Sequence, residues 1–299
     1  MYKQAEGYER AYAQGAGYYV AGTTTSLPRK GNTKNGIHLP FTPYPQSHSA
    51  SNWLGLPNLG HVKTANIISS FKRYEHFPIG ASVSSDPGMN ASDALRGLID
   101  GMKAYQDAGC DFLELNESCP NVPGHSHSEH NALDESLIER LDAIANEVDL
   151  SSFPIFVKFS NDTDPTLIKP LISILCDRNF SGINLGNTST SYTRYGQKLH
   201  QKDKKHFDYF TREFGGGLSG SILRESSLNL CSEAAQAINE QNASDEFLII
   251  ATGGIETSAD LKNALQAGAN LAQWYTGYYE RFGIDGNKVY VTMYQDLIS

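Results

Sequence analysis

Asp111-Phe-Leu-Glu-Leu-Asn-Glu-Ser-Cys-Pro-Asn121 runs from an apparent strand straight into a polar turn. Residues 111–115 alternate as a buried strand does. Asn116-Glu-Ser-Cys119-Pro-Asn121 then sets a thiol between two carboxamides at the strand's carboxyl end. In α/β folds that end of the sheet is where ligands and chemistry gather. Carboxamides donate to and accept from a planar polar ligand, and a thiol gives or takes a proton. The plainer reading is a strand-to-helix turn punctuated by Asn and Pro, with Cys119 a small buried apolar residue.

Outward from this stretch, strand-like and helix-like segments alternate in both directions. Tyr18-Tyr-Val-Ala21 and Pro78-Ile-Gly-Ala-Ser-Val83 precede it as strands. Pro154-Ile-Phe-Val-Lys158, Gly182-Ile-Asn-Leu185, Phe247-Leu-Ile-Ile-Ala251 and Asn270-Leu-Ala-Gln-Trp274 follow it. Between them, Leu95, Leu98, Ile99, Met102 and Tyr105 recur at helical spacing, as do Leu137, Leu141 and Ile144. Asp164-Pro165 reads as a cap with proline at the first helical position. Repeated strand-helix units with apolar strands mean a parallel sheet covered by helices. The expected fold is α/β, a (β/α)8 TIM barrel occupying 1–299 as a single domain. A closed barrel needs an eighth strand. The chain opens instead on a helix near Ala5–Gln14, so it reads as a barrel lacking its first strand. Gly31 to Leu59, rich in Pro, Ser, Asn and His, breaks the rhythm and is expected as an irregular insertion over the active face. Its Ile37-His-Leu-Pro-Phe41 piece has the character of a small hairpin.

Composition excludes several classes. Lys and Arg total 24 against 33 Asp and Glu, a net charge of −9, which argues against a nucleic-acid partner. No apolar run approaches the ~20 residues of a membrane span, and no signal peptide opens the chain. Cys110, Cys119, Cys176 and Cys231 lack metal-type spacing and are too sparse for a disulfide framework, which fits a cytoplasmic protein. His125, His127 and His130 have no matching second cluster, so no metal site is expected and the segment reads as a solvated loop.

Lys158 ends an otherwise apolar strand, where it meets an anion or snorkels to the rim. Phe214-Gly-Gly-Gly-Leu-Ser-Gly220 reads as a glycine-rich loop. Thr252-Gly253-Gly254 and Tyr275-Thr-Gly277 follow the last two strands. Barrels commonly place a phosphate site there, on backbone N–H groups and helix N-termini. Together these turns favour a phosphorylated cofactor.

Taken in order, Gly22-Thr-Thr-Thr25, Asn52 to Asn58, Glu114 to Gly124, Val157-Lys158, Gly186-Asn-Thr188, Gly216 to Gly220, Gly253-Gly254 and Tyr275-Thr-Gly277 resemble the dihydroorotate dehydrogenase family. The likeness runs from about Gly15 to Phe282. It implies FMN across the barrel mouth, its phosphate on Gly220, Gly253, Gly254, Tyr275 and Thr276, with Lys158 at the N1/O2 side of the flavin. Thr23, Ser82, Asn116 and Gly186 would line the cofactor too. The resemblance further implies dihydroorotate as substrate and orotate as product, on the path to UMP. Asn52, Asn116, Asn121, Asn187, Thr188 and the backbone of Leu54, Gly55 and Leu56 would hold the pyrimidine. Cys119 would be the general base, removing the C5 proton while hydride leaves C6 for the flavin.

The chain mixes marks of two classes. Cys119, Asn121-Val-Pro-Gly124 and Ser82 resemble the soluble class 1 enzymes, homodimers among them, which use fumarate or an NAD-linked subunit. Gly22-Thr-x-Thr25, Asn187-Thr188 and Gly216 to Gly220 look more like class 2, which passes electrons to quinone. Both classes use a further lysine near the flavin. The class 1 position holds Gly22, and the class 2 position is expected ahead of Met1. Alternatives are an impaired or pseudoenzyme relative, and another flavin barrel such as a dihydrouridine synthase, which the acidic charge disfavours.

Overall fold

The computed structural model describes residues 5–118, 133–241 and 246–298. In chain order its strands are β1 (Tyr19–Thr24), β2 (Thr33–Lys34), β3 (Ile37–His38), β4 (Phe41–Tyr44), β5 (Ser49–Asn52), β6 (Ile79–Val83), β7 (Phe112–Asn116), β8 (Ile155–Phe159), β9 (Gly182–Leu185), β10 (Gly217–Gly220), β11 (Leu248–Thr252) and β12 (Leu271–Gln273). The helices are α1 (Tyr8–Ala13), α2 (His61–Ser69), α3 (Ala91–Asp107), α4 (Glu135–Glu147), α5 (Ile168–Asp177), α6 (Tyr192–Gly196), α7 (Gln201–Glu213), α8 (Arg224–Gln241), α9 (Ser258–Gln266), α10 (Thr276–Asp285) and α11 (Val289–Ile298).

β1, β6, β7, β8, β9, β11 and β12 form one curled parallel sheet in that order. Strand alternation gives the sheet two faces. Leu113 and Leu115 of β7 and Ile155 and Val157 of β8 bury against helix residues such as Leu98, Leu141 and Ile172. The opposite set turns Phe112, Phe156 and Ile250 into the curl as a separate apolar floor. Glu114 lies on this inner face, one alternation beyond Phe112, and is 3% exposed.

Among the described residues β1 and β12 have no partner on their far sides, so the sheet is open between them. This is the gap expected from the strand count. The Tyr18 hydroxyl, just before β1, crosses it and donates to the Ala272 carbonyl at 3.0 Å. Buried Gln14 accepts from the Tyr278 hydroxyl at 3.0 Å, tying the end of α1 to α10.

Two expectations need correction. The stretch 31–59 is not irregular: β2 pairs with β3, and β4 pairs with β5, both antiparallel. Only Ile37-His38 of the expected hairpin piece belongs to the first pair, whereas Phe41 opens the second. The glycine-rich loop is in part a strand, because Gly217–Gly220 pairs antiparallel with Ser49–Asn52. The resulting three-stranded sheet, β10-β5-β4, is separate from the parallel one.

His61 opens α2 at 1% exposure. Its Nδ1 lies 2.8 Å from the Thr24 hydroxyl, which is 2.7 Å from the Tyr105 hydroxyl. Burial lowers the imidazole pKa to about 4, an effect that nearby Asp86 only partly offsets. The unfolded chain binds this proton near pH 6.5 and the folded chain resists it, so stability is lost as pH falls through that window. The loss reaches about 3 kcal/mol by pH 4. Denaturant unfolding at pH 7 and pH 5 should show a shallower acid slope for His61→Gln, and an unchanged slope would contradict this assignment.

Candidate active site

A cavity of about 730 Å³ runs from the carboxyl ends of the parallel strands into the gap between β1 and β12, where Tyr18, Tyr19, Leu271 and Met293 line it. Thr23, Ser82, Asn116, Lys158, Asn187 and Thr188 line it from β1 and β6 to β9 and the turns that follow. Gly220, Gly253, Gly254, Tyr275 and Thr276 line its other end. Asn52, Leu54 and Leu56 reach it from the segment after β4. Residues separated by up to about 250 positions therefore share one space, as the sequence pattern anticipates.

Gly55 and Gly186 are not among the lining residues. A Cβ at Gly55 would meet the Asn32 side chain, and its carbonyl accepts from Arg29 Nε at 3.1 Å. The Leu54 and Leu56 carbonyls are likewise taken, by Asn32 N and Asn58 Nδ2. Gly186 packs against Asn161 beneath the rim. Cys119, Asn121 and the three histidines of 125–130 lie outside the described residues.

The strand ends are tied by a polar cluster. Asn116 Nδ2 donates to the Thr23 hydroxyl at 2.9 Å, itself 2.9 Å from the Ser82 hydroxyl. Asn116 Oδ1 accepts from Ser118 Oγ at 3.0 Å and from Asn187 Nδ2 at 3.3 Å. Ser118 Oγ also accepts from Asn187 Nδ2 at 3.0 Å. The last described residues before Cys119 are thus held at the cavity wall.

Asn161, which the sequence reading passed over, is 1% exposed and donates to the carbonyls of Asn187 (2.6 Å) and Thr252 (3.2 Å). It supports two rim turns at once. Its Oδ1 and the Thr188 hydroxyl are buried with no partner among the described residues. Both residues line the cavity. Unsatisfied buried polar atoms at a cavity wall are what a polar ligand or ordered water completes.

Lys158 resolves toward an anion. Its ammonium lies 3.2 Å from Glu114 Oε1 and donates to Gln273 Oε1 at 3.2 Å. Glu114 Oε2 accepts from Asn184 Nδ2 at 2.7 Å and from Gln273 Nε2 at 2.8 Å. Neither Glu114 nor Gln273 was assigned a role from sequence. The available signal was a polar residue on the inward alternation of otherwise apolar strands.

At the glycine-rich end, α10 begins at Thr276, so free N–H groups and the helix dipole face this part of the site. The Thr276 hydroxyl is 2.9 Å from that of Ser219 on β10. Gly254 adopts φ +77, and a Cβ there would come within 2.5 Å of Arg224. Arg224 Nε donates to the Gly254 carbonyl at 3.0 Å and pairs with Asp260, which fixes the turn.

Just outside this end, His48 Nδ1 lies 2.9 Å from Glu256 and 2.6 Å from Glu280. Hydrogen bonding to Glu280 raises the imidazole pKa, and burial beside Glu280 raises that of Glu256. Both shifts contribute stability at low pH that fades as pH rises.

A family model described as dihydroorotate dehydrogenase matches residues 1–297. The match starts upstream of the expected Gly15 and takes in Lys3, which lies outside the described residues. A dihydroorotate dehydrogenase (quinone) of Nostoc punctiforme is 29% identical over 269 residues, covering 88% of this chain and 66% of that protein. One from Pseudoalteromonas translucida is 27% identical over 276 residues, covering 90% and 74%. The crystal structure of DHODH from Eimeria tenella in complex with ferulenol superposes with a TM-score of 0.77 at 22% identity. That likeness covers 99% of this chain and 78% of the other and supports the barrel-type fold. Among the described residues no helix is long and apolar enough to cross a membrane.

Proposed function

Because the chain belongs to the dihydroorotate dehydrogenase family, we propose that it oxidises dihydroorotate to orotate with FMN, in pyrimidine (UMP) biosynthesis. The observation that carries this reading is a single cavity joining Lys158, the Asn116–Asn187 cluster and the glycine turns at α10. The residues present fit FMN: the cavity has a helix N-terminus at one end and a lysine ammonium in its wall. It also offers the partnerless Thr188 hydroxyl.

When bound, FMN supplies the ring that accepts the hydride. The remaining chemistry belongs to this chain. Gly220, Gly253, Gly254, Tyr275 and Thr276 would hold the FMN phosphate with backbone N–H groups. Thr23, Ser82, Asn116 and Gly186 would line the cofactor, and Lys158 would supply positive charge to its ring. Asn52, Asn116, Asn121, Asn187 and Thr188 orient the pyrimidine, together with the backbone of Leu54, Gly55 and Leu56. Cys119 takes the C5 proton, which requires a thiol deprotonated near neutral pH. Quinone is the acceptor class carried in the relatives' names, and it is preferred here to fumarate or an NAD-linked subunit.

A second reading has one specific observation behind it. The open edge between β1 and β12 favours an impaired relative that binds ligand without turnover. Titrating the full chain with FMN while following flavin fluorescence tests the flavin assignment, and turnover of dihydroorotate by the loaded chain then separates the readings. Saturable binding of one FMN per chain is expected. No binding would contradict the flavin assignment.

A further inference from the structure

The four-residue network at the cavity wall points to a role for a residue that the proposed function leaves unassigned. Glu114 sits on the inner face of β7 at 3% exposure. A carboxylate buried to this degree persists only when paired or fully hydrogen-bonded. Every donor that reaches it comes from another strand of the sheet: Lys158 from β8, Asn184 from β9 and Gln273 from β12. Asn184 Nδ2 also donates to Gln273 Oε1 at 3.1 Å, and Asn184 Oδ1 accepts from the Thr252 hydroxyl at 2.7 Å. The carboxylate is therefore the hub on which the inner polar layer converges.

The ammonium of Lys158 has three donors. Glu114 and Gln273 engage two of them on the sheet side. That leaves one for the cavity, which the Lys158 side chain lines. The two ties fix where the ammonium stands. The charge of Glu114 also sets how much net positive field leaves the pair, since the local dielectric is low and screening is weak.

We propose that Glu114 is a positioning residue for Lys158 and tempers its field, holding down the reduction potential of the bound flavin. This rests on the FMN reading above. The carboxylate stabilises the ordered ammonium, and at the same time partly cancels its attraction for the negative charge that the cofactor gains on reduction. An uncompensated lysine at the same place would hold the reduced cofactor more tightly.

The test uses the full chain loaded with FMN and measures the two-electron reduction equilibrium against a reference dye, alongside FMN affinity. Glu114→Gln keeps size and removes charge. It should shift the equilibrium at least tenfold toward the reduced form, ~30 mV for a two-electron couple. Gln273→Glu puts a second carboxylate beside the same ammonium and should shift it the opposite way. In a Lys158→Met background the effect of Glu114→Gln should disappear, because a carboxylate buried without its counter-ion takes up a proton and leaves no charge for the substitution to remove. Failure of Glu114→Gln to fold leaves Gln273→Glu to decide by its sign.

An unchanged equilibrium in both variants, shifts of the same sign, or persistence of the Glu114→Gln effect without Lys158 would overturn the proposal. Wild-type chain that binds no FMN would instead contradict the flavin reading. The two failures are therefore distinguishable.

Discussion

Replacing Cys119 with alanine should leave FMN bound and slow flavin reduction by dihydroorotate at least ~100-fold, the low end of general-base contributions. In barrier terms that is about 2.7 kcal/mol. The assignment rests on the resemblance of Asn116 to Asn121 to the dihydroorotate dehydrogenase family. Cys119 is the next residue after Ser118, whose hydroxyl is engaged by Asn116 and Asn187 at the cavity wall. Burial raises the thiol pKa of each of the other three cysteines. Cys110 and Cys231 are buried, and burial pushes both thiols up to about 12, where they are inert near neutral pH. Stopped-flow absorbance under anaerobic conditions measures the reductive half-reaction alone. A rate equal to wild type would remove Cys119 as the base.

The second large effect is expected at Lys158. Lys158→Ala should weaken FMN binding at least about tenfold through loss of the charge-assisted contact. It should also destabilise the fold. Removing one partner of a buried ion pair leaves the other uncompensated, at a cost of about 3–5 kcal/mol. Here the stranded group would be Glu114, whose side chain is 4% exposed. Two measurements keep the effects apart: the flavin-to-protein absorbance ratio of purified protein, and urea unfolding of the flavin-free form. If Lys158→Ala arrives fully loaded, its role toward the cofactor is wrong, even where stability falls as expected.

The parallel sheet was legible because its strands obey simple alternation with helix-period segments between them. Leu113 and Leu115 face the helices while Phe112 and Glu114 face inward, and neighbouring strands repeat the scheme. The antiparallel pieces were not legible. β4 is Phe41-Thr-Pro-Tyr44 and β5 is Ser49-Ala-Ser-Asn52, short and polar, with a proline that reads as loop. Gly217-Leu-Ser-Gly220 has the composition of a turn, and only pairing with β5 makes it a strand. Tertiary context, not local propensity, decides such segments.

The site divides in a similar way. Asn116, Asn187 and the glycine turns stood out because each follows a strand. Lys158 was ambiguous between anion partner and snorkel until Glu114 came opposite it, from 44 residues away. Gln273 and Asn184 were hidden inside strands read as apolar. Asn161 follows β8 by two residues and looks like ordinary turn chemistry. Its buried amide, shared between Asn187 and Thr252, appears only when three strand ends are brought together.

Adding dihydroorotate, without oxygen, to the FMN-loaded full chain and recording the visible spectrum tests the central claim most directly. Bleaching of the flavin band, with orotate formed in equal amount, is the predicted result. A loaded chain whose spectrum stays unchanged at saturating dihydroorotate would contradict the proposed activity and favour the ligand-binding relative without turnover.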